Sequence, residues 1–485
     1  MSTVPNFDVL PPEIIEIVFD HTLQCIPAET RSLQALACSH VCRSFRRVAL
    51  NSPTMWRCLP VLSRKGQSHV NTQFIEACVK RSRGLPLDGF LYFYLALRNP
   101  DGHLESDPSK FLVDGTFETT LLHCARWRSC SLKLIYDDDI GSNGIYLPFL
   151  DFRELFVTID APLLEELSFG ASHDLELLGI FSTLTNAHFA WNIPKLRAFN
   201  MTNTLSLPSS KYRALLHSLT VNFHQVEFTH HIGSLRSRMR GLRSLSTVEL
   251  SFIECCFSIA SFYSLAEMPS ITTLGITLLA CTQTPTYRHL LWHDFRTFYF
   301  PNLVELHITL DIEDRDDLVI WNGYNIALFS FVAPTMRADC EPRYPSLETL
   351  VVTVQPRMGS PSPQSGQTPF PKLLLPCCCI PSLKHFRIRS TQSWVLSDSI
   401  VGGDVSLEHP RVTFIERGEQ VVAINLQTVT FEVPQIDGIV PWVRKLTSNM
   451  QDTGCWDRFS KLTVVQSGEA VVIPRDEIER WCETK

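Results

Sequence analysis

The side chains best suited to chemistry in this chain are imidazoles, thiols and carboxylates that recur in short clusters. His289 and His293 have the i, i+4 spacing that sets two imidazoles on one helix face, where they can share a divalent metal. The phrase His289-Leu290-Leu291-Trp292-His293 lacks the glutamate of the zinc hydrolases and offers no third ligand, so it reads as two ordinary side chains. Asp137-Asp138-Asp139 has the charge to attract a cation and reads as a solvated turn, and His230-His231 reads as a loop. Cys377-Cys378-Cys379 cannot converge tetrahedrally, because adjacent residues point different ways; after Leu373–Leu375 and Pro376 it reads as a buried run. No Gly-x-x-x-x-Gly-Lys-Ser/Thr loop, strand-borne Gly-x-Gly-x-x-Gly or Gly-x-Ser-x-Gly elbow is present. Without a convergent set, the expectation is a protein that is not an enzyme and uses no cofactor or metal.

The elements that would hold such groups belong to a folded chain. Of 485 residues, 45% are apolar and 19% charged, a core-forming composition and not a disordered one. One compact core stops growing near ~250–300 residues, so several domains or an elongated repeat are needed. The net charge of -7 is mild, and the one basic stretch, 236–243, alternates with Ser, Leu and Gly as in a solvated helix end or loop. Neither nucleic acid nor an anionic membrane surface is expected as a partner. The richest apolar stretches, 271–281 and 373–380, fall short of the ~20 residues that span a bilayer. The opening MSTVPNFDVLPPE lacks a secretory pattern, and 16 Cys lie scattered among apolar neighbours. Reduced thiols in a cytoplasmic or nuclear protein are expected.

Residues 5–60 carry a helical pattern. Pro11 and Pro12 suit a first helical turn, where a missing N–H costs nothing. Ile14, Ile17 and Val18 share one face, and Glu13 and Glu16 sit near the positive helix start. Pro27 ends the pattern; Thr30 suits the N-cap of a second helix, with Leu33, Leu36 and Ala37 at the same spacing. A third run sets Val41, Phe45, Val48 and Ala49 on one side and leaves Arg43, Arg46 and Arg47 wet, before Asn51-Ser52-Pro53 breaks the chain. Leu36, Phe45 and Val48 are expected in the core. Three helices in so few residues make a small core, so their apolar faces are expected to meet the next domain or another protein.

Three phrases in this stretch, Leu10-Pro11-Pro12-Glu13-Ile14-Ile15, Val41-Cys42-Arg43-Ser44-Phe45 and Asn51-Ser52-Pro53-Thr54-Met55-Trp56, resemble the F-box-like proteins that fungi encode in large numbers. That family has a Leu-Pro-x-Glu opening, a Val-Cys-(Lys/Arg)-x-(Trp/Phe) centre and a Pro-x-(Leu/Met)-Trp close; here Phe45 stands where Trp is more frequent. The resemblance implies a module that binds a Skp-type adaptor, which hangs the receptor on a cullin scaffold. It implies Leu10, Pro11, Ile14, Val18, Val41 and Cys42 as adaptor-binding residues, with Trp56 closing the module.

Beyond residue 61 one phrase recurs: Pro, an apolar residue two on, another three later, then alternation. It stands at Pro162 (offset by one), Pro194, Pro269, Pro301, Pro345 and Pro381, with less complete versions at 242–252 and 426–431. The intervals 162–194 and 269–301 are both 32 residues, 301–345 is 44 and 345–381 is 36; the 75 residues from 194 to 269 leave room for two units. Such repetition marks a stacked, quasi-one-dimensional architecture. The phrase points its apolar residues inward from a short parallel strand and resembles irregular leucine-rich repeats. Trp127–Leu134 suits an early strand, 356–371 a Pro/Ser/Gly-rich flexible insertion, and Pro474–Cys482 a closing helix. The expected fold is therefore α/β: an N-terminal three-helix F-box-like module (5–60) and an irregular leucine-rich-repeat-like solenoid with short parallel strands (61–485). The function that follows is a substrate receptor of an SCF-type ubiquitin ligase, taking an unknown protein substrate on its repeats. The competing expectation is a ligase-independent interaction scaffold.

Overall fold

The computed structural model describes residues 10–63, 72–95, 119–136, 159–171, 191–204, 207, 210–225, 235, 239, 241–255, 266–281, 298–312, 328, 332, 343–355, 372–375, 380–398, 400–401, 414–415 and 425–485. The clusters at 137–139, 230–231, 289–293 and 377–379 and the insertion at 356–371 lie outside them. The chain divides into two compact units, Met1–Leu219 and Thr220–Lys485, so the expected boundary near residue 60 falls inside the first.

In the first unit, helices α1 (Pro12–Gln24), α2 (Arg31–Ser39) and α3 (Arg43–Asn51) precede strand β1 (Cys58–Ser63), and α4 (Thr72–Arg81) follows it. Strands β2 (Leu87–Leu95), β3 (Trp127–Tyr136), β4 (Glu166–Ala171) and β5 (Ala198–Thr202) then pair in chain order, every neighbour parallel. The division between units runs through β6 (Ser218–His224).

In the second unit, β7 (Thr247–Ile253), β9 (Thr273–Cys281), β11 (Glu305–Ile312), β12 (Thr349–Val354), β14 (His385–Ser390), β18 (Thr428–Glu432) and β19 (Lys461–Gln466) form an open parallel ladder in that order. An antiparallel strand, β20 (Glu469–Pro474), ends it after a tight turn whose Ser467 and Gly468 both have positive φ, the geometry of a two-residue hairpin. Short flanking pairs are formed by β8 (Ala266–Glu267) with β10 (Phe298–Tyr299), β13 (Lys372–Leu375) with β15 (Val395–Asp398), and β16 (Ile400–Val401) with β17 (Phe414–Ile415). Helix Val440–Asp452 buries Trp442, Val443 and Leu446; of the closing helix expected over Pro474–Cys482, Pro474 ends β20, Arg475–Glu477 form a 3-10 turn and the α-helix runs Ile478–Thr484. The fold is thus mixed α/β with mostly parallel strands.

The recurring phrase has a direct physical reading. In every copy the apolar residue two after the proline is buried: Leu164, Leu196, Ile271, Leu303, Leu347 and Leu383. Its N–H donates to the carbonyl three residues back, as in Leu303 to Phe300 at 3.2 Å, which closes a turn before the strand. Alternate strand residues then point inward, for example Leu306 and Ile308 on β11. The Pro162 copy is not offset: Glu166, four after Pro162, pairs with Ala198, four after Pro194. Trp127 and the residues after it form β3 as expected, and Trp127 is fully buried.

In four of the six copies the residue after the proline is Ser or Asn (Ser270, Asn302, Ser346 and Ser382), for a reason the phrase alone does not disclose. Asn302 donates to the carbonyl of Pro269 (2.8 Å) and Ser346 to Pro301 (2.8 Å), and Asn425, which follows Ile424 and not a proline, donates to Pro381 (2.7 Å), each staple tying one copy to the copy before it. Turn carbonyls that would otherwise lack a partner are satisfied this way.

Two glycines distinguish backbone from side-chain crowding. A methyl group at Gly438 would stand 2.2 Å from the carbonyl oxygen of Trp394, a backbone atom fixed beside a buried indole. At Gly275 the nearest atoms belong to the exposed Glu249 side chain, which can swing aside. Gly438→Ala is therefore expected to destabilise the second unit by about 1–3 kcal/mol, and Gly275→Ala by under ~0.5 kcal/mol. Urea unfolding of the two variants checks this; equal midpoints would contradict it.

Candidate docking surface on the N-terminal helices

Helix α1 is apolar on two faces. Ile15, Phe19 and Leu23 recur at i, i+4, i+8 and are buried. Phe19 meets Phe45 of α3 edge-on, with ring centroids 5.1 Å apart. Roughly 150° around the same axis, at 100° per residue, Ile14, Ile17 and Val18 keep 45%, 54% and 49% of their surface exposed. Leu10 and Pro11, just ahead of the helix, are exposed too. Pro12 opens α1 at its first position, as its missing N–H favours.

The other two helices fix this arrangement. Val48 and Ala49 of α3 are buried and Phe45 half-buried, while Arg43, Arg46 and Arg47 are exposed, as the spacing predicts. Cys42 caps α3: its Sγ accepts the N–H of Phe45 at 3.4 Å, which satisfies one of the free amides of the first turn. Glu16 of α1 and Ser52 after α3 share a short hydrogen bond. Thr30 does stand at the start of α2, but its hydroxyl donates to Pro27 O and caps nothing.

Several expected positions need correction. Val41 does not share the buried side with Phe45 and Val48; it lies in the turn before α3 and is 62% exposed. On α2 the buried face is Ser32, Ala35, Cys38 and Ser39, whereas Leu33 and Ala37 are exposed and Leu36 is half-buried. Small residues face inward there because the backbone packs close: Ser32 reaches the carbonyls of Met55 and Cys58. Trp56 cannot contact a partner. It is fully buried, its Nε1 donates to Ala49 O at 2.7 Å, and the Arg81 guanidinium lies 4.3 Å from its ring centroid.

Of the seven positions singled out from the sequence, Leu10, Pro11, Ile14, Val18 and Val41 are therefore exposed, Cys42 is half-buried, and Trp56 is core. Ile17 and Leu33 are two large apolar side chains on the same helices that the motif did not single out, yet both are exposed. Their helical spacing was the available signal. Exposed apolar side chains in such number are the mark of a binding surface, since burying each one is worth roughly 1.5–3 kcal/mol.

Reactive chemistry is not what this region offers. Burial pushes the Cys58 thiol up to about 11 and the Cys78 thiol up to about 12, so both stay protonated and poorly nucleophilic at neutral pH. Among the described residues no group of three His, Cys, Asp or Glu side chains is placed to hold a metal, and no helix is long and apolar enough to cross a membrane. In the second unit the outward faces of β11, β12 and β14 border a trough of about 520 Å³. Its floor carries Thr349, Val351 and Thr353, between His307 and Arg387. Its charges are already committed: His307 Nε2 lies 2.7 Å from Glu305 Oε1, and Arg389 and Arg387 both hold the Glu432 carboxyl below its ordinary range. This is a hydrogen-bonding surface.

No protein-family model matches the chain, and none of the curated proteins is similar to it.

Proposed function

We propose that the chain is a substrate-receptor subunit of a cullin–RING ubiquitin ligase of the SCF type, acting in the cytoplasm or nucleus. The N-terminal helices dock on a Skp-type adaptor, which carries the cullin scaffold, and the repeats, read as an irregular leucine-rich-repeat-like solenoid, capture a target protein. The ligase gains rate by holding target lysines near activated ubiquitin, so this chain supplies proximity and no bond chemistry. One observation supports the reading above the rest. Four of the apolar residues that the resemblance marks as adaptor-facing, Leu10, Ile14, Val18 and Val41, are exposed, while Ile15, Phe19, Val48, Met55 and Trp56 build the core beneath them. Residues used only for packing would lie inside.

The test is co-purification of the full chain with a Skp-type adaptor. The wild-type chain is expected to carry the adaptor through gel filtration, and a Leu10→Ala, Pro11→Ala, Ile14→Ala triple variant to lose it. If the wild-type chain does not retain the adaptor, the chain is a ligase-independent scaffold; if the variant retains it fully, these are not the docking residues.

A further inference from the structure

Strands β1, β2 and β3 bring three charged side chains together at their leading ends, because Asp88 pairs in register with Cys58 on one side and Ser129 on the other. Arg57 and Arg128, each one residue before those partners, flank the Asp88 carboxylate. Arg128 Nη2 reaches both its oxygens, at 3.0 and 3.1 Å, and Arg57 Nη2 lies 3.7 Å away. Ser129 Oγ donates to the same carboxylate at 2.8 Å. Arg31, the first residue of α2, enters this cleft from the helical side, and the space between them is about 260 Å³.

The donors outnumber the acceptors. A guanidinium carries five N–H donors in a fixed fork. Arg57 commits Nε to Pro86 O and Nη2 to Asp88, and Arg128 commits Nη2 alone. The Arg31 side chain has no acceptor among the described residues, although its Nε is buried. A buried donor of a charged group left without a partner is costly, which makes an acceptor in the cleft favourable.

We propose that this cleft binds a phosphate monoester. Three guanidiniums and two carboxylates, Asp88 and Asp20, line the cleft and leave a surplus of one positive charge, which favours an anion such as a phosphate monoester, roughly −1.5 to −2 in charge. The shape agrees. A planar carboxylate is held by one guanidinium, as Asp88 already is by Arg128 Nη2, whereas donors arriving from α2, from the residue before β1 and from β3 suit the separated oxygens of a tetrahedral group. Asp20, exposed on α1, also lines the cleft and opposes an anion there. The site goes beyond adaptor docking and does not depend on it.

Titration of the full chain with inorganic phosphate at constant ionic strength, read by calorimetry, tests the assignment. Saturable binding with Kd about 1 mM is expected for the simplest probe. Arg31→Gln should weaken it by roughly tenfold or more, the loss of a charged hydrogen-bond donor. Asp20→Asn, an exposed change that leaves the fold alone, should tighten it several-fold as repulsion is removed. Two further arms, glycerol phosphate and a phosphoserine peptide with its unphosphorylated control, separate a small-molecule source from a modified protein: the tighter arm identifies the source. Absence of saturable phosphate binding, wild-type binding by Arg31→Gln, or no tightening in Asp20→Asn would each overturn the proposal. None of these readouts involves the adaptor, so its failure is distinct from failure of the docking assignment.

Discussion

Replacing Trp56 by alanine is expected to cost about 3–5 kcal/mol of stability in the N-terminal unit, the range for emptying a buried indole site. The side chain is entirely covered, and Met55 beside it is buried as well. Two further losses add to the cavity. Ala49 lies in the last turn of α3, where carbonyls have no partner within the helix, and the indole N–H of Trp56 supplies one. The Arg81 guanidinium over the ring loses its aromatic face. Trp56→Phe keeps most of the volume but orphans the Ala49 carbonyl, so about 1–2 kcal/mol of the loss should remain. Hydrogen exchange of the α1–α3 amides in the full chain reads the local effect without requiring two-state unfolding. Unchanged protection in Trp56→Ala would mean that the residue is not the keystone of these helices. Any loss of adaptor binding in that variant is then secondary to loosening of the module, because a covered indole touches no partner.

Why the sequence places Trp56 in a docking set, and groups Val41 on one helix side with Phe45 and Val48, is a matter of what periodicity can see. A period near 3.6 residues locates a helix and groups its apolar side chains, and all three helices were legible that way. It does not say which of two apolar stripes is inside. In α1 the stripe of Ile14, Ile17 and Val18 and the stripe of Ile15, Phe19 and Leu23 are both regular. The second is buried because Phe19 has an aromatic partner, Phe45, across the helix pair. In α2 the larger side chains are the less buried ones, since Ser32 and Ala35 allow the close approach that lets a serine hydroxyl reach the backbone of the segment leading into β1. Size, which normally marks the core, points the wrong way wherever backbones pack this closely.

The repeats were more legible, because their signal is carried by several positions at once. Six proline-led copies each precede a parallel strand, and the copy at 242–252 yields β7 without a proline. Strands β1 and β2 escaped notice for a related reason. Their inward residues, Leu59 and Val61 on β1 and Leu91 on β2, are as buried as any other, but no Pro-x-Leu turn stands at the usual distance before them. Turn geometry, not strand composition, made the pattern readable. The same turns hold the Ser and Asn staples, which apolar spacing does not mark, since a polar residue before the buried Leu looks interchangeable until its acceptor in the preceding copy is known.

A single charge on either stripe of α1 should separate packing from docking. Ile14→Glu sets a carboxylate where the side chain is already half in water, so thermal stability is expected to shift by no more than ~0.5 kcal/mol. Adaptor affinity should fall by roughly a hundredfold or more, because an apolar contact becomes an unpaired charge that must be stripped of water at the interface. Ile15→Glu, one residue along, buries the same charge on the inner face that Phe19 and Leu23 share and should lose about 3 kcal/mol or more of stability, on the order of a broken core. Circular dichroism melts and a direct affinity measurement on both variants give four numbers. The pattern required is stability kept and binding lost for residue 14, with both lost for residue 15. Should Ile14→Glu melt as low as Ile15→Glu, the outer stripe is covered by this chain itself. Should it melt and bind like the wild-type chain, the adaptor lies elsewhere and the helices serve only to seat the strands that follow them.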